Sequence, residues 1–378
     1  MKYGIYSIDI IIIIVKTITI IIDIMDINCI NNKFNLDILT KLGTYHKKIM
    51  ELVKNNINNM KSNKELYNFI NNYLNEHSIN KAFPIGISIN EIIAHDSYHK
   101  DNKIKFNDGD LIKVDIGLEE DGNIIDSART YIYTPLCSKN VIMDSVNSEG
   151  DTEAVGACRE IVQNVEIFIR NEYKNNKKIN IQKISTEIYN NITTKGYHAL
   201  DFLGGHTIEH GKVHGKKLIL NKPLTHLPAQ CKTLINPNNE LVEGEMFAIE
   251  VFIPNKKTNG YMIQNEKLLI THFELSDIVP LAPLPPLDSK EADTLKDIDI
   301  ITKRLPYEYR IHDKYDKYII KALINKGYIK KHLPLEWIDK DKKKIKYIHY
   351  EDCYLIDPIK GIINLSCHNA PTTACGSN

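Results

Sequence analysis

The chain has 378 residues with 48 Lys+Arg against 48 Asp+Glu, so it is neutral at pH 7, with a pI near 7.2. That balance excludes a global electrostatic drive toward nucleic acid or an anionic membrane, and the length suffices for one large or two ordinary domains whose core needs no staples. Seven cysteines, an odd number without a CxxC pair, fit a reducing compartment better than a disulfide framework, and a cytoplasmic setting is expected.

Residues 5–24, IYSIDIIIIIVKTITIIIDI, are the candidate for a membrane segment or signal. Asp9 and Lys16 interrupt the run, each costing about 2.5–3.5 kcal/mol near a bilayer centre, and no small-residue cleavage site follows. We expect residues 1–33 to be an extension outside the fold, without stable membrane association. Apolar residues then recur at helical spacing from Leu36 to Met60 and from Lys64 to Glu76, as in Leu66, Phe69, Ile70, Tyr73 and Leu74, which predicts two helices. Residues 82–95, AFPIGISINEIIAH, start a sheet.

Residues 111–132, LIKVDIGLEEDGNIIDSARTYI, read as two strands joined at Asp121-Gly122, a pair that tolerates the positive φ a two-residue hairpin demands. In that register Asp115 opposes Ala128 and Asp126 opposes Gly117, so the two aspartates share a face as diagonal neighbours about 7–8 Å apart at Cα. Ile112, Val114 and Ile116 on the other face are apolar, which predicts a sheet covered on both sides. Two like charges there are costly to desolvate, and a pair of divalent metals would bridge them. The competing reading is two surface aspartates on a solvated strand.

Further on, Glu153 to Tyr173 and 181–194 show amphipathic stripes and predict helices, and strand-like segments follow at 246–253, MFAIEVFI, and 345–356, IKYIHYEDCYLI. The stretch between them carries LAPLPPL at 281–287 and a helical pattern at 314–326 that Gly327 should terminate, and it reads as an insertion with its own small core. The tail at 366–378 is polar and expected to be disordered.

Three positions can complete a metal site. His206 follows two glycines in FLGGHTIEHGKVHG, where the unencumbered backbone lets an imidazole approach an ion; the alternative is a set of surface loop histidines. Glu250 stands among Met246, Ala248 and Phe252, and Glu351 among Ile345, Tyr347, Cys353 and Leu355, with Lys346 and Asp352 pointing the other way. A carboxylate on an apolar strand face needs a partner, either a metal or a buried cation. Four carboxylates and one imidazole suit two Mn, Fe, Co or Zn ions better than a structural zinc site. Water bridging two such ions is acidified to a hydroxide nucleophile, so hydrolysis is the predicted chemistry.

In order and context these segments, AFPIGISINEIIAH, KVDIG, IIDSA, GGHTIEHGKVHG, EGEMFAIE and HYEDCYLI, resemble the type 2 methionine aminopeptidases of the pita-bread metallopeptidases, over about residues 36–360. The roughly 100 residues between Glu250 and Glu351 match the helical insertion of that branch. The resemblance implies an α+β pita-bread fold over 34–365 with an insertion at about 268–343. It further implies two divalent ions, with Asp115 chelating one, Asp126 and Glu351 bridging, and His206 and Glu250 completing the other site. His95 matches a histidine near the substrate amino terminus, which fumagillin-type epoxides alkylate in that family, and His214 the one hydrogen-bonding the scissile amide. Glu250 would pass the proton to the leaving amine, while Phe83 and His332 fall where the methionine pocket is lined.

The implied function is removal of the initiator methionine from nascent polypeptides by a monomer, with ribosome association allowed for and no specific nucleic acid expected. One rival is a relative that has lost its metals and binds RNA, ribosomes or histones, although here all five donors are present. Another is a proline-directed peptidase of the same fold, which usually carries an extra domain ahead of the catalytic one, whereas about 80 residues precede AFPIG.

Overall fold

The computed structural model describes residues 34–135, 146–227, 240–276, 284–339, 341 and 343–366. The predicted extension at 1–33, much of 137–152, the start of LAPLPPL and the tail beyond Ser366 lie outside the described residues.

Helix α1 (Leu36–Asn56) buries Leu39, Leu42, Ile49, Met50 and Val53. It stops short of the predicted Met60, giving way to a 3-10 turn at Ile57–Asn59. Helix α2 (Asn63–Glu76) starts at Ser62, whose side chain accepts from the Glu65 N–H and so satisfies one of the donors a helix start leaves unpaired. The segment AFPIGISINEIIAH forms two strands, β1 (Gly86–Ile89) and β2 (Ile92–Ala94). Between them Asn90 takes a φ of 52° while its side chain donates to Asp110 and accepts from the Leu111 N–H.

The hairpin is β3 (Leu111–Glu120) and β4 (Asn123–Ile132). Its register is the predicted one, with Asp115 opposite Ala128, Gly117 opposite Asp126 and Glu120 opposite Asn123. Asp121 and Gly122 take φ values of 49° and 77°, the positive pair that this turn requires. Ile112, Val114 and Ile116 are fully buried, so the sheet is covered on both faces as expected.

Helix α3 (Val146–Asn176) runs longer than its predicted stripe, and α4 (Ile181–Thr194) is capped by Asn180, which accepts from the N–H groups of Gln182 and Lys183. The chain continues through β5 (Gly204–Ile208), β6 (Leu218–Leu220) and β7 (Met246–Pro254). Strand β8 (Gly260–Gln264) comes next, and the insertion follows, with β9 (His272–Leu275), α5 (Ser289–Thr302), α6 (Lys317–Asn325), β10 (Ile329–His332) and β11 (Leu335–Asp339). The chain then returns as β12 (Tyr347–Asp357) and β13 (Gly361–Asn364).

The insertion has its own core of Phe273, Leu275, Ile298, Tyr307, Ile320, Leu323 and Ile329, as predicted. Helix α5 was not foreseen, because its apolar stripe is weak; its start is nonetheless written in the chain as the Asp288/Glu291 capping box. The helix expected over 314–326 covers only Lys317–Asn325, with a 3-10 turn at Tyr309–Lys314 ahead of it. Gly327, at φ 84°, ends it.

Two sheets carry the site. One holds β3 between β1 and β4, and the other runs β13-β12-β7-β5-β6. Strand β2 belongs to neither; it pairs with β11 beside β8. That corrects the expectation of one sheet from 82–95, since the Asn90 turn redirects the chain. Helices α3 and α4 cover the larger sheet through Cys158, Ile161, Val165, Ile184, Ile188, Phe247, Val251 and Tyr354, each fully buried aliphatic contributing about 1.5–3 kcal/mol.

Candidate metal centre

Each donor arrives on a strand whose neighbours are buried. Asp115 and Asp126 project from β3 and β4, His206 from β5, and Glu250 and Glu351 face each other across one rung of β7 and β12. Gly205 allows His206 to be there: a Cβ at that position would collide with the Ala248 carbonyl on β7. A side chain would push the two strands apart.

Two groups of possible ligand atoms result, Asp115 with His349 and Glu351, and Asp126 with His206 and Glu351, the atoms within each lying within 4.8 Å of one another. Glu351 belongs to both, and Glu250 adjoins them, its Oε1 lying 3.2 Å from His206 Nε2. The Thr207 carbonyl accepts from His206 Nδ1 at 3.1 Å, so a neutral ring would offer its Nε2 lone pair to an ion; without one, burial pushes the His206 pKa down and the hydrogen bond and charge of Glu250 outweigh that and raise it.

The electrostatics are those of crowded anions. Burial first, then the neighbouring carboxylates, Glu250 for all three, raise Asp115, Asp126 and Glu351 well above the usual carboxylate range. Glu250 is the exception: burial pushes it up, and the neighbouring imidazoles of His206 and His349 outweigh that and hold it low. Four polar atoms of this one site, Asp115 Oδ1, Asp126 Oδ1, His349 Nε2 and Glu351 Oε1, are buried without a hydrogen-bond partner. Orphans of that kind cost about 1–3 kcal/mol each, and a hard cation satisfies carboxylate oxygens and imidazole nitrogens together. The donor set therefore fits divalent metal.

The donors open into a cavity of about 180 Å³ that they line together with Phe83, His95, His214, His272 and His332. His95 follows β2 with a φ of 65°, the sparsely populated left-handed region that functional sites often store. The Leu333 carbonyl accepts from its Nδ1 at 3.1 Å, which leaves Nε2 unprotonated in the neutral ring. Burial and His332 hold its pKa down at about 4. His214 stands edge-on to His206, 4.6 Å between centroids; it keeps exposed area while densely surrounded, as a side chain lining a concave site does. His332 pairs with Glu274 at 3.2 Å and stands 5.4 Å from the His95 ring.

All the residues singled out from sequence thus converge here. Residues 37–272 match metallopeptidase family M24. The chain belongs to that family. This M24 chain is 30% identical over 263 residues to a methionine aminopeptidase 2 of Uncinocarpus reesii, covering 67% of the chain and 52% of the relative. It is 27% identical over 301 residues to one of Neurospora crassa, covering 75% and 59%. The chain thus spans about half the length of the curated relatives it matches. Among solved structures, a methionine aminopeptidase from Thermotoga maritima superposes with TM-score 0.54 at 16% identity, over 89% of this chain and 98% of that one. A thermophilic Arx1 superposes with TM-score 0.62 at 13% identity, over 88% and 91%. At such identities the likeness is one of fold, and the expected α+β pita-bread architecture is the one observed.

Sequence reasoning missed three residues of the site. His349 lies two before Glu351, and strand alternation alone puts it on that face. Lys113, two before Asp115, is buried, donating from Nζ to the carbonyls of Asn90 at 2.8 Å and Tyr347 at 3.1 Å; burial lowers its pKa to about 7. His272 enters only through the insertion, opposite His332 in the β9–β10 ladder, and no local signal marks it. Asp352 points away from Glu351, as expected, but not into solvent. It is buried and paired with Arg129 at 2.5 Å, because the back of β12 is covered, and Arg129 in turn lies 3.9 Å over the Tyr350 ring.

Proposed function

We propose that this chain is a methionyl aminopeptidase that removes the initiator methionine from nascent proteins on a dinuclear metal site. The observation that carries the reading is the pair of ligand groups sharing Glu351, which line one cavity together with Phe83, His95, His214 and His332. In this reading Asp115 would hold one ion, His206 and Glu250 would hold the second, and Asp126 and Glu351 would serve both. When bound, divalent ions of the Co, Mn, Fe or Zn type supply an acidified water and a Lewis acid for the scissile carbonyl.

The chain's own groups do the rest. His214, against His206 at the cavity wall, donates to the scissile carbonyl oxygen as charge grows there. Glu250, whose carboxylate adjoins His206 and the cavity, takes up a proton and passes it to the leaving amine. His95, kept neutral, closes the end that receives the free amino terminus, and Phe83 and His332 line the methionine subsite. Crowding beyond it favours a small second residue. Among the described residues no helix is long and apolar enough to cross a membrane. In this reading residues 34–365 are the catalytic unit, acting as a monomer in the cytoplasm on nascent N-termini, with ribosome contact allowed for.

The test is methionine release from a Met-Ala-Ser peptide by purified protein loaded with each of the four metals and stripped by chelator. Release restored by metal is expected. Absence of release from protein carrying two ions would favour the rival, a binding protein of the same fold.

A further inference from the structure

The dinuclear reading uses five donors, and His349 is not among them. Yet its side chain is 3% exposed, and its Nε2 lies 3.6 Å from Glu250 Oε2 and 3.7 Å from Glu351 Oε2. Both separations are too long for hydrogen bonds, and Nε2 has no other partner. Nothing about the ring is loose. Phe252, its partner across the β7–β12 rung, stacks on it at 4.0 Å between centroids and 14° between planes. The Thr130 hydroxyl accepts from the His349 N–H at 2.9 Å and donates to its carbonyl at 2.8 Å. An imidazole fixed on both its face and its backbone, with an unused nitrogen aimed among carboxylates, is a preorganised ligand rather than a filler of the core.

We propose that His349 Nε2 directly ligates the ion held by Asp115 and Glu351, making this a six-residue centre with one imidazole on each metal. The inference rests on the dinuclear reading and deepens it. Metal–nitrogen and metal–oxygen distances of about 2.0–2.2 Å place the ligands of one ion about 3.0–4.4 Å apart. The 3.7 Å between His349 and Glu351 falls within that span, and Asp115 completes the group, whose atoms all lie within 4.8 Å of one another. Nε2 also faces Glu250, but at 3.6 Å against the 3.2 Å of His206, so this long contact leaves the nitrogen available to an ion. An imidazole on the Asp115 ion also moves that position from a hard, oxygen-only set toward borderline ions such as Co and Zn.

The experiment is X-ray absorption on the full chain loaded with cobalt, paired with binding titration of wild type and His349→Gln. Wild type should bind two cobalt ions with one imidazole per ion on average. His349→Gln should show half that count and weaken one of the two sites at least about 10–100-fold, with melting in chelator confirming its fold. A wild-type count of one imidazole per two ions overturns the inference without need of any variant, as does a variant with unchanged imidazole count and affinity. Failure of wild type to bind two ions would instead overturn the dinuclear reading on which the inference stands.

Discussion

Replacing Glu351 by Gln should abolish turnover and yet stabilise the metal-free protein. Glu351 is 1% exposed and shares ligand groups with both Asp115 and Asp126, whose atoms lie within 4.8 Å. Two unit charges at that separation repel by about 3.5 kcal/mol at an effective dielectric near 20. Proton uptake caps the penalty. A carboxyl with an ordinary pKa of 4.5 takes a proton at pH 7.5 for about 4 kcal/mol and at pH 5 for under about 1 kcal/mol. The sign follows from the raised pKa: such a group destabilises the fold above its unfolded value, and the penalty disappears as pH falls toward 4.5. Metal-stripped Glu351→Gln should therefore melt higher than stripped wild type at pH 7.5, by up to about 4 kcal/mol of stability, with the gap closing near pH 5. Adding cobalt should raise the melting temperature of wild type and move the variant far less. Differential scanning calorimetry with and without chelator reads all four conditions. A stripped variant that melts lower than wild type at pH 7.5, or an undiminished cobalt shift, would refute the reasoning.

Other outcomes follow from the same geometry. Asp126→Asn should lose turnover together with metal, read by metal analysis of the purified variant; near-normal kcat with two ions bound would remove Asp126 from its bridging role. His206→Ala should deplete metal, whereas His214→Ala should keep both ions and lower kcat about 10²–10³-fold; equal metal contents in the two variants would erase the distinction. A fumagillin-type epoxide should label His95 at Nε2, with a rate flat from pH 8 to about 5 and falling toward its pKa of about 4, and peptide mapping against His95→Asn decides it. Arg129→Leu should cost about 3–5 kcal/mol by stranding the buried Asp352 charge, and Asp352→Leu added to it should recover part of that loss in chemical denaturation.

The strands and most helices were legible in the chain, because alternation and helical spacing are local properties that burial enforces one residue at a time. The Asp121-Gly122 turn set the hairpin register, and with it the diagonal placement of Asp115 and Asp126. Carboxylates on apolar strands, Glu250 and Glu351, announced a cation before any geometry was known. His349 was equally legible by alternation and went unread beside the more anomalous Glu351. What tertiary structure alone decided is which surfaces meet. The pairing of Arg129 with Asp352 joins residues more than 200 positions apart, and only the covering of β12 on its back turns Asp352 from a solvated charge into a buried one. His272 reaches the cavity because β9 lies against β10, and Lys113 reaches it because the Asn90 turn and Tyr347 offer their carbonyls. A sequence records the period of each strand; the distance between two strands, and hence the charge that a buried side chain can bear, exists only once the sheets close on one another.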